Sequence, residues 1–297
     1  MHATEGYFDE LIPAPDGSGS DAGFTPVACP PEPFRLMRHW APMIESPDAL
    51  LACATAISMQ RNPGVSLAKL DRTLNGIANE IRKTVRGPQQ QALLAHLHHH
   101  LFDTMLFAGD GRDYYNPANS DIAEVVKRRT GLPILLSLVY KDIAGRLGLR
   151  VDGIGLPGHF VVSVATDEGP MLVDPFFGGV VLSEEEAAER VRSILGPEET
   201  VTTNMLRPVS NRHWITRILQ NLLGSYGAAS RYNDVAAILE LEMLLWPEQK
   251  HLQRDLGLCL ARVGLPSEAG RWLDVYLKGN PNDPQRGDLE ELLAVLR

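Results

Sequence analysis

The chain has 297 residues, enough for two domains at about 150 residues each. Apolar residues make up 44% and charged residues 22%, an ordinary globular composition that excludes a wholly disordered chain. With 28 Lys and Arg against 37 Asp and Glu, the net charge of −9 leaves no general electrostatic reason to bind nucleic acid or anionic lipid.

No stretch reaches the roughly 18 uncharged apolar residues of a membrane span, so no membrane is expected as a partner. The opening run MHATEGYFDELIPAPDG has neither the basic region nor the apolar core of a secretory signal. Residues 1–34 hold six prolines, four glycines and six acidic residues, with no Lys or Arg. Such a segment buries little, and residues 1–45 are expected to be a partly disordered, solvated arm. Tyr7, Phe8, Leu11 and Ile12 are the residues in it that would suit a partner.

From Ser46 the pattern turns helical. Ser46-Pro47-Asp48 reads as a helix start, with Ala49, Leu50, Ala52, Cys53 and Ile57 on the apolar face. Leu67, Leu70, Leu74, Ile77, Ile81 and Val85 mark a second, amphipathic helix. A third is expected from near Pro88, carrying Leu93, Leu94, Leu97, Leu101, Met105 and Leu106 inward, before a polar loop over residues 109–120. A short helix through Ile122, Val125 and Val126 ends by Gly131. Residues 133–147 are apolar on nearly every side, with Pro133 suited to the first turn and Gly148 to the position just past the end. A helix apolar all round must be buried, so this is the central core helix. The runs VDGIGL, HFVVSV and MLVDPF follow as short strands, the last two joined by the turn ATDEGP. Helices followed by a small antiparallel sheet make the fold class α+β.

The last ninety or so residues are helical and repetitive. Leu223-Gly224 recurs as Leu256-Gly257 after 33 residues, and Trp246-Pro247 is echoed by Asn280-Pro281 after 34. A helix–turn–helix unit of that length, with small residues such as Ala236 and Ala269 inside it, is tetratricopeptide-like. About two units fit, fewer than a free-standing array needs, so they are expected to pack on the preceding domain. The expected domains are the arm 1–45, a core 46–208 and a repeat region 209–297.

His159 lies 15 residues before Asp174, and folding the hairpin about residues 167–170 brings the two within hydrogen-bonding reach. A His oriented by an Asp is two-thirds of a nucleophilic triad, although the same pair can simply hold a sheet edge. Gly158 and Pro175 shape the backbone beside them. The cysteines Cys29, Cys53 and Cys259 are odd in number and far apart, neither a disulfide framework nor a CxxC metal pair, which points to a reducing, cytoplasmic setting. His96, His98, His99 and His100 share a helix face only as His96 with His99 or His100 and have no HExxH-type Glu, so no metal is implied. Gly153, Gly155 and Gly158 precede a strand, not a helix start, and form no phosphate loop. No cofactor is implied. Glu184-Glu185-Glu186 reads as the solvated start of a helix.

The run NSDIAEVVKRRTGLPILLSLVYKDIAGRLGLRVDGIGLPGHFVVSV, preceded by RDYY and followed by MLVDPFFGG, resembles the SirB-type transglutaminase-like proteins. These couple a transglutaminase-like, papain-like core to C-terminal tetratricopeptide repeats, and the resemblance covers roughly residues 45–285. It implies a triad with Cys on the first turn of the central helix and His and Asp on successive strands, at the positions of His159 and Asp174. Members with a working triad read Gly-x-Cys about 14 residues before the Leu-Gly that closes the helix. Here that position is Pro133, in Gly131-Leu132-Pro133. A helix N-terminus makes a thiolate out of a cysteine there, whereas proline carries no nucleophile. Ser137, one turn deeper, is a weak substitute that reads as a packing residue. The expected function is therefore a degenerate, non-catalytic, regulatory module that binds a protein or peptide around Asn119, Gly158, His159 and Pro175. The alternative is a cysteine-protease-like hydrolase or acyl-transfer enzyme using His159 and Asp174 with another nucleophile. Oligomeric state stays open.

Overall fold

The computed structural model describes residues 24–85, 90–196 and 202–297. Tyr7, Phe8, Leu11, Ile12 and Pro88 lie outside them. The chain divides into two compact units, one of residues 64–218 and one that joins residues up to 63 with 219–297. No described helix is long and apolar enough to cross a membrane.

The 64–218 unit is built around the expected core helix. Its helices are α3 (Leu67–Thr84), α4 (Gln90–His98), α5 (Ile122–Arg128), α6 (Pro133–Arg146) and α7 (Glu184–Leu195). The first residues of α8 (Asn211–Ala228) also belong to it. In α6 ten residues, Pro133 to Tyr140 with Ile143 and Ala144, are buried. Around it pack α3, α5 and a four-stranded sheet of β3 (Val151–Ile154), β4 (Val161–Thr166), β5 (Gly169–Asp174) and β6 (Val180–Leu182). The sheet is antiparallel throughout, in the order β3-β4-β5-β6. Thr166 pairs with Gly169, so Asp167 and Glu168 form the two-residue turn of the β4–β5 hairpin. One face of the sheet meets α6. On the other, Ala187 and Val191 of α7 close over Ile154, Val161, Leu172 and Leu182.

Three features depart from the sequence expectations. The third helix changes at His99–Thr104 into a π-helical turn, after which Leu106 has φ +60° and points outward while Phe107 is buried. Two two-residue strands, β1 (Ala108–Gly109) and β2 (Thr130–Gly131), pair in parallel just ahead of α6. The unit boundaries also differ from 1–45, 46–208 and 209–297. The described part of the expected arm contains α1 (Pro31–Trp40), with Phe34, Leu36, Met37 and Trp40 buried, and α2 (Ala49–Arg61) is buried along nearly its whole length. Both pack on α9 (Tyr232–Leu245), alongside α10 (His251–Arg262), with α11 (Pro266–Gly279) and α12 (Arg286–Leu296) continuing the stack. The reason is burial. Every residue of α9 from Ala236 to Leu245 is buried, and too few C-terminal helices are present to cover it, so the N-terminal pair completes the unit.

Candidate functional site

The hairpin register places its two chemical residues together. His159 Nε2–H donates to Asp174 Oδ2 at 2.8 Å, with the imidazole 4% and the carboxylate 0% exposed. Asp174 ends β5, and its Oδ1 accepts the N–H groups of Phe176 (3.1 Å) and Phe177 (3.4 Å) in the 3-10 turn Pro175–Phe177. Its own carbonyl accepts Gly179 N–H at 2.9 Å. The guanidinium of Arg190, on α7, comes to 3.6 Å from Oδ2 and stacks 3.9 Å above the Phe177 ring. This buried carboxylate is therefore charge-paired and bonded at both oxygens, as a buried charge must be.

Local backbone sets the imidazole. Gly158 has φ +69°, the left-handed region, and His159 N–H returns to Leu156 O at 3.2 Å, so the chain turns sharply into β4. Arg217 of α8 donates to the carbonyls of both Leu156 and His159, each at 3.1 Å, and so clamps the two ends of that turn. Because a carboxylate accepts, Nε2 supplies the proton of the 2.8 Å bond, and Nδ1 is the ring nitrogen that this bond does not use. Phe176 and Phe177 flank the imidazole with ring centroids 6.0 Å away, and Tyr114 lies beyond Phe176 at 6.2 Å. Burial lifts the Tyr114 hydroxyl above its ordinary value, with Arg217 opposing.

The other expected residues fall as follows. Pro133 is the first residue of α6, buried, and α6 packs against β4 and the Pro175–Phe177 turn. Ser137 is fully buried and its Oγ has no hydrogen-bond partner, so it is not bonded to the imidazole. Asn119 is buried, and its amide is committed to the chain itself. It donates to Asp110 Oδ2 (3.1 Å) and Asp113 O (2.7 Å) and accepts from Arg128 at 2.6 Å. Its place is thus under the loop that carries Tyr114, holding that loop to α5. Pro175 is buried and starts the turn after Asp174.

All three cysteines are free, buried and in the unit joined from the chain's two ends. Burial drives the Cys29 and Cys53 thiols far up and lifts Cys259 to about 11, so none is poised as a thiolate. The histidine run is broken up by the π-helical turn. His98 bonds the Tyr140 hydroxyl at 2.8 Å, while His99 pairs with Asp103 and His96 with Thr84. Among the described residues no three His, Cys, Asp or Glu side chains gather as a metal site. The glycines Gly153 and Gly155 serve close packing: a Cβ at the first would strike the Trp214 ring, and at the second the Arg217 guanidinium.

Arg190, Arg217, Phe176 and Tyr114 escaped the sequence reading. No short motif links Arg190, Arg217 or Tyr114 to the dyad; two helices and a loop outside the hairpin bring them in. The Phe-Phe pair after Asp174 was the one available signal.

Residues 68–220 match the family model described as the transglutaminase-like superfamily. A UPF0162 protein of Xylella fastidiosa (strain 9a5c) is 33% identical over 251 residues, which span 82% of this chain and 89% of that protein. A UPF0162 protein of Vibrio cholerae is 26% identical over 60% of this chain and 66% of its own length. The human F-box only protein 21 is 26% identical over 73% of this chain, but over only 40% of that longer protein. No solved structure matches. With its model match covering the unit that holds the dyad, the chain belongs to the transglutaminase-like superfamily and, on its similarity to the Xylella protein, to the UPF0162 family.

Proposed function

We propose that the chain is a non-catalytic transglutaminase-like protein that has kept the His–Asp pair as a scaffold and binds a protein or peptide segment beside it. The observation that carries this reading is Pro133, which stands at the first turn of α6 where the resemblance puts the nucleophile. Proline suits that turn and has no group to attack a carbonyl. Supporting it, Ser137 is sealed and the three cysteines are held as neutral thiols. Beside the dyad the surface is apolar and open: Phe177 is 45% exposed, and Val180 and Val181 on edge strand β6 are 47% and 49% exposed. Exposed apolar side chains at a sheet edge suit a partner segment better than a water-facing wall. In this reading the tetratricopeptide-like helices offer a second surface, and the protein works in the cytoplasm as a regulatory module without cofactor or metal.

The test has two arms. Thiol- and serine-directed activity probes should leave the wild-type 64–218 region unlabelled, and proteins captured by the wild-type chain should be lost with Phe177→Asp. Probe labelling that vanishes in His159→Ala would replace this reading by the hydrolase one, for which His159 Nδ1, the ring nitrogen that the Asp174 bond does not use, is the favouring feature. Capture unaffected by Phe177→Asp would remove the proposed surface.

A further inference from the structure

The unit joined from both ends of the chain contains a contact that helix packing alone does not require. Residues 24–30 have no helix or strand structure, yet their backbone is bonded to α9. Glu240, in the middle of α9 and 0% exposed, accepts three consecutive backbone N–H groups through its two oxygens: Val27 (2.6 Å), Ala28 (3.1 Å) and Cys29 (2.6 Å). Phe24, Val27 and Ala28 rest on a cluster drawn from three helices, including Leu239 of α9, Leu256 of α10 and Trp272 of α11. The Phe24 ring stands edge-on between Phe34 and Trp272, 5.2 Å from each. A carboxylate gathering successive N–H groups from one bent segment, with side chains seated between helices, is how a short peptide turn is held. A second feature points the same way. Trp272 Nε1 is buried in this seat and has no hydrogen-bond partner, so the present occupant leaves one recognition group unused.

We propose that α9, α10 and α11 form a peptide-recognition site, that residues 24–29 fill it in cis as a built-in ligand, and that a partner segment of the same chemistry competes for it. That segment bends where it meets Glu240, carries an aromatic residue three places before small aliphatic ones, presents consecutive N–H groups to Glu240, and brings an acceptor for Trp272 Nε1. The site lies in a different unit from His159 and does not depend on the reading given above.

The probe is a labelled peptide of residues 24–31 added to the full chain and followed by fluorescence anisotropy. An occupant tethered by a short linker acts at an effective concentration on the order of millimolar. A peptide that binds the emptied seat at about 10 µM is therefore weakened about 100-fold when the seat is filled. Val27→Asp places a charge beside Glu240 and on the apolar cluster, and expels the built-in segment. The Val27→Asp chain should bind the peptide about 100-fold more tightly than wild type, and adding Glu240→Gln should abolish that gain. A Val27→Asp chain with native circular dichroism that ignores the peptide overturns the proposal. Should that variant unfold, amide exchange in the wild-type chain decides. Millimolar peptide should accelerate exchange at Val27, Ala28 and Cys29, and unchanged exchange overturns the proposal.

Discussion

Asp174 is the most constrained side chain of the site, buried and bonded by an imidazole, two main-chain N–H groups and a guanidinium. Asp174→Ala should destabilise the protein by about 3 kcal/mol, because it strands His159 and removes the cap of the Pro175–Phe177 turn. Urea denaturation measures this directly, and a loss below about 1 kcal/mol would mean that the pair contributes little to folding. Pro133→Cys tests the geometry of the missing nucleophile. A thiol at the first turn of α6, where the resemblance puts the nucleophile, should alkylate with an apparent pKa below the usual 8.5 or so. That advantage should disappear with His159→Ala, and a slow, His159-independent thiol would show that position 133 does not face the imidazole. The dyad itself was legible from a 15-residue spacing across one hairpin, because hairpin register is local. The Arg190 and Arg217 contacts were not, since each depends on how a helix outside the hairpin packs against it and not on strand register.

Helices announced themselves through periodicity, and the structure adds their caps. Ser66 caps α3 through Lys69 N–H, and Asp121 caps α5 through Ala123 and Glu124 N–H. The acidic run Glu184 to Glu186 opens α7, where Ser183 and Glu186 close a reciprocal capping box. Ser183→Ala should cost about 1 kcal/mol, read as a lower thermal midpoint; no change would place α7 outside the cooperative core. The shortest strands stayed invisible. β1 and β2 have two residues each and pair across 22 positions, and β6 has three, too few to display a period of two. Leu106 misled the count because the π-helical turn before it shifts the helical phase, so the next buried side chain is Phe107.

Across the full chain, the unit made from both ends depends on two buried acids of α9. Burial raises the Glu242 carboxyl above its ordinary value of 4.5, against a 2.6 Å bond from Gln220, and raises Glu240 likewise against its three N–H bonds. A carboxyl that holds its proton more tightly when folded favours folding fully below pH 4.5, and that contribution is lost as pH rises through the raised value. Glu242→Gln should therefore gain stability relative to wild type as pH climbs from about 4.5 to 7. Urea midpoints across that range would show it, and a pH-independent difference would refute it. Deleting residues 1–45 should unfold α9 to α12 rather than trim a solvated arm, because it strips α1 and the bonds to Glu240 from α9. Retained C-terminal helicity and an unchanged melting midpoint would contradict this.

Local pattern in the sequence is enough for the α+β class, the buried α6, the β4–β5 hairpin and the nearness of His159 to Asp174. Each rests on interactions between residues close in the chain, where apolar spacing and turn chemistry leave one solution. The partnership of α1 and α2 with α9, the Arg190 and Arg217 contacts around the dyad, and the seating of residues 24–29 on Glu240 carry no such local mark. Glu240 is 211 residues from Cys29, and a carboxylate in the middle of an apolar helix looks like an error until the donors that satisfy it fold into place. Long-range burial chooses those partners, because it is settled by which surfaces remain uncovered once the local elements have formed.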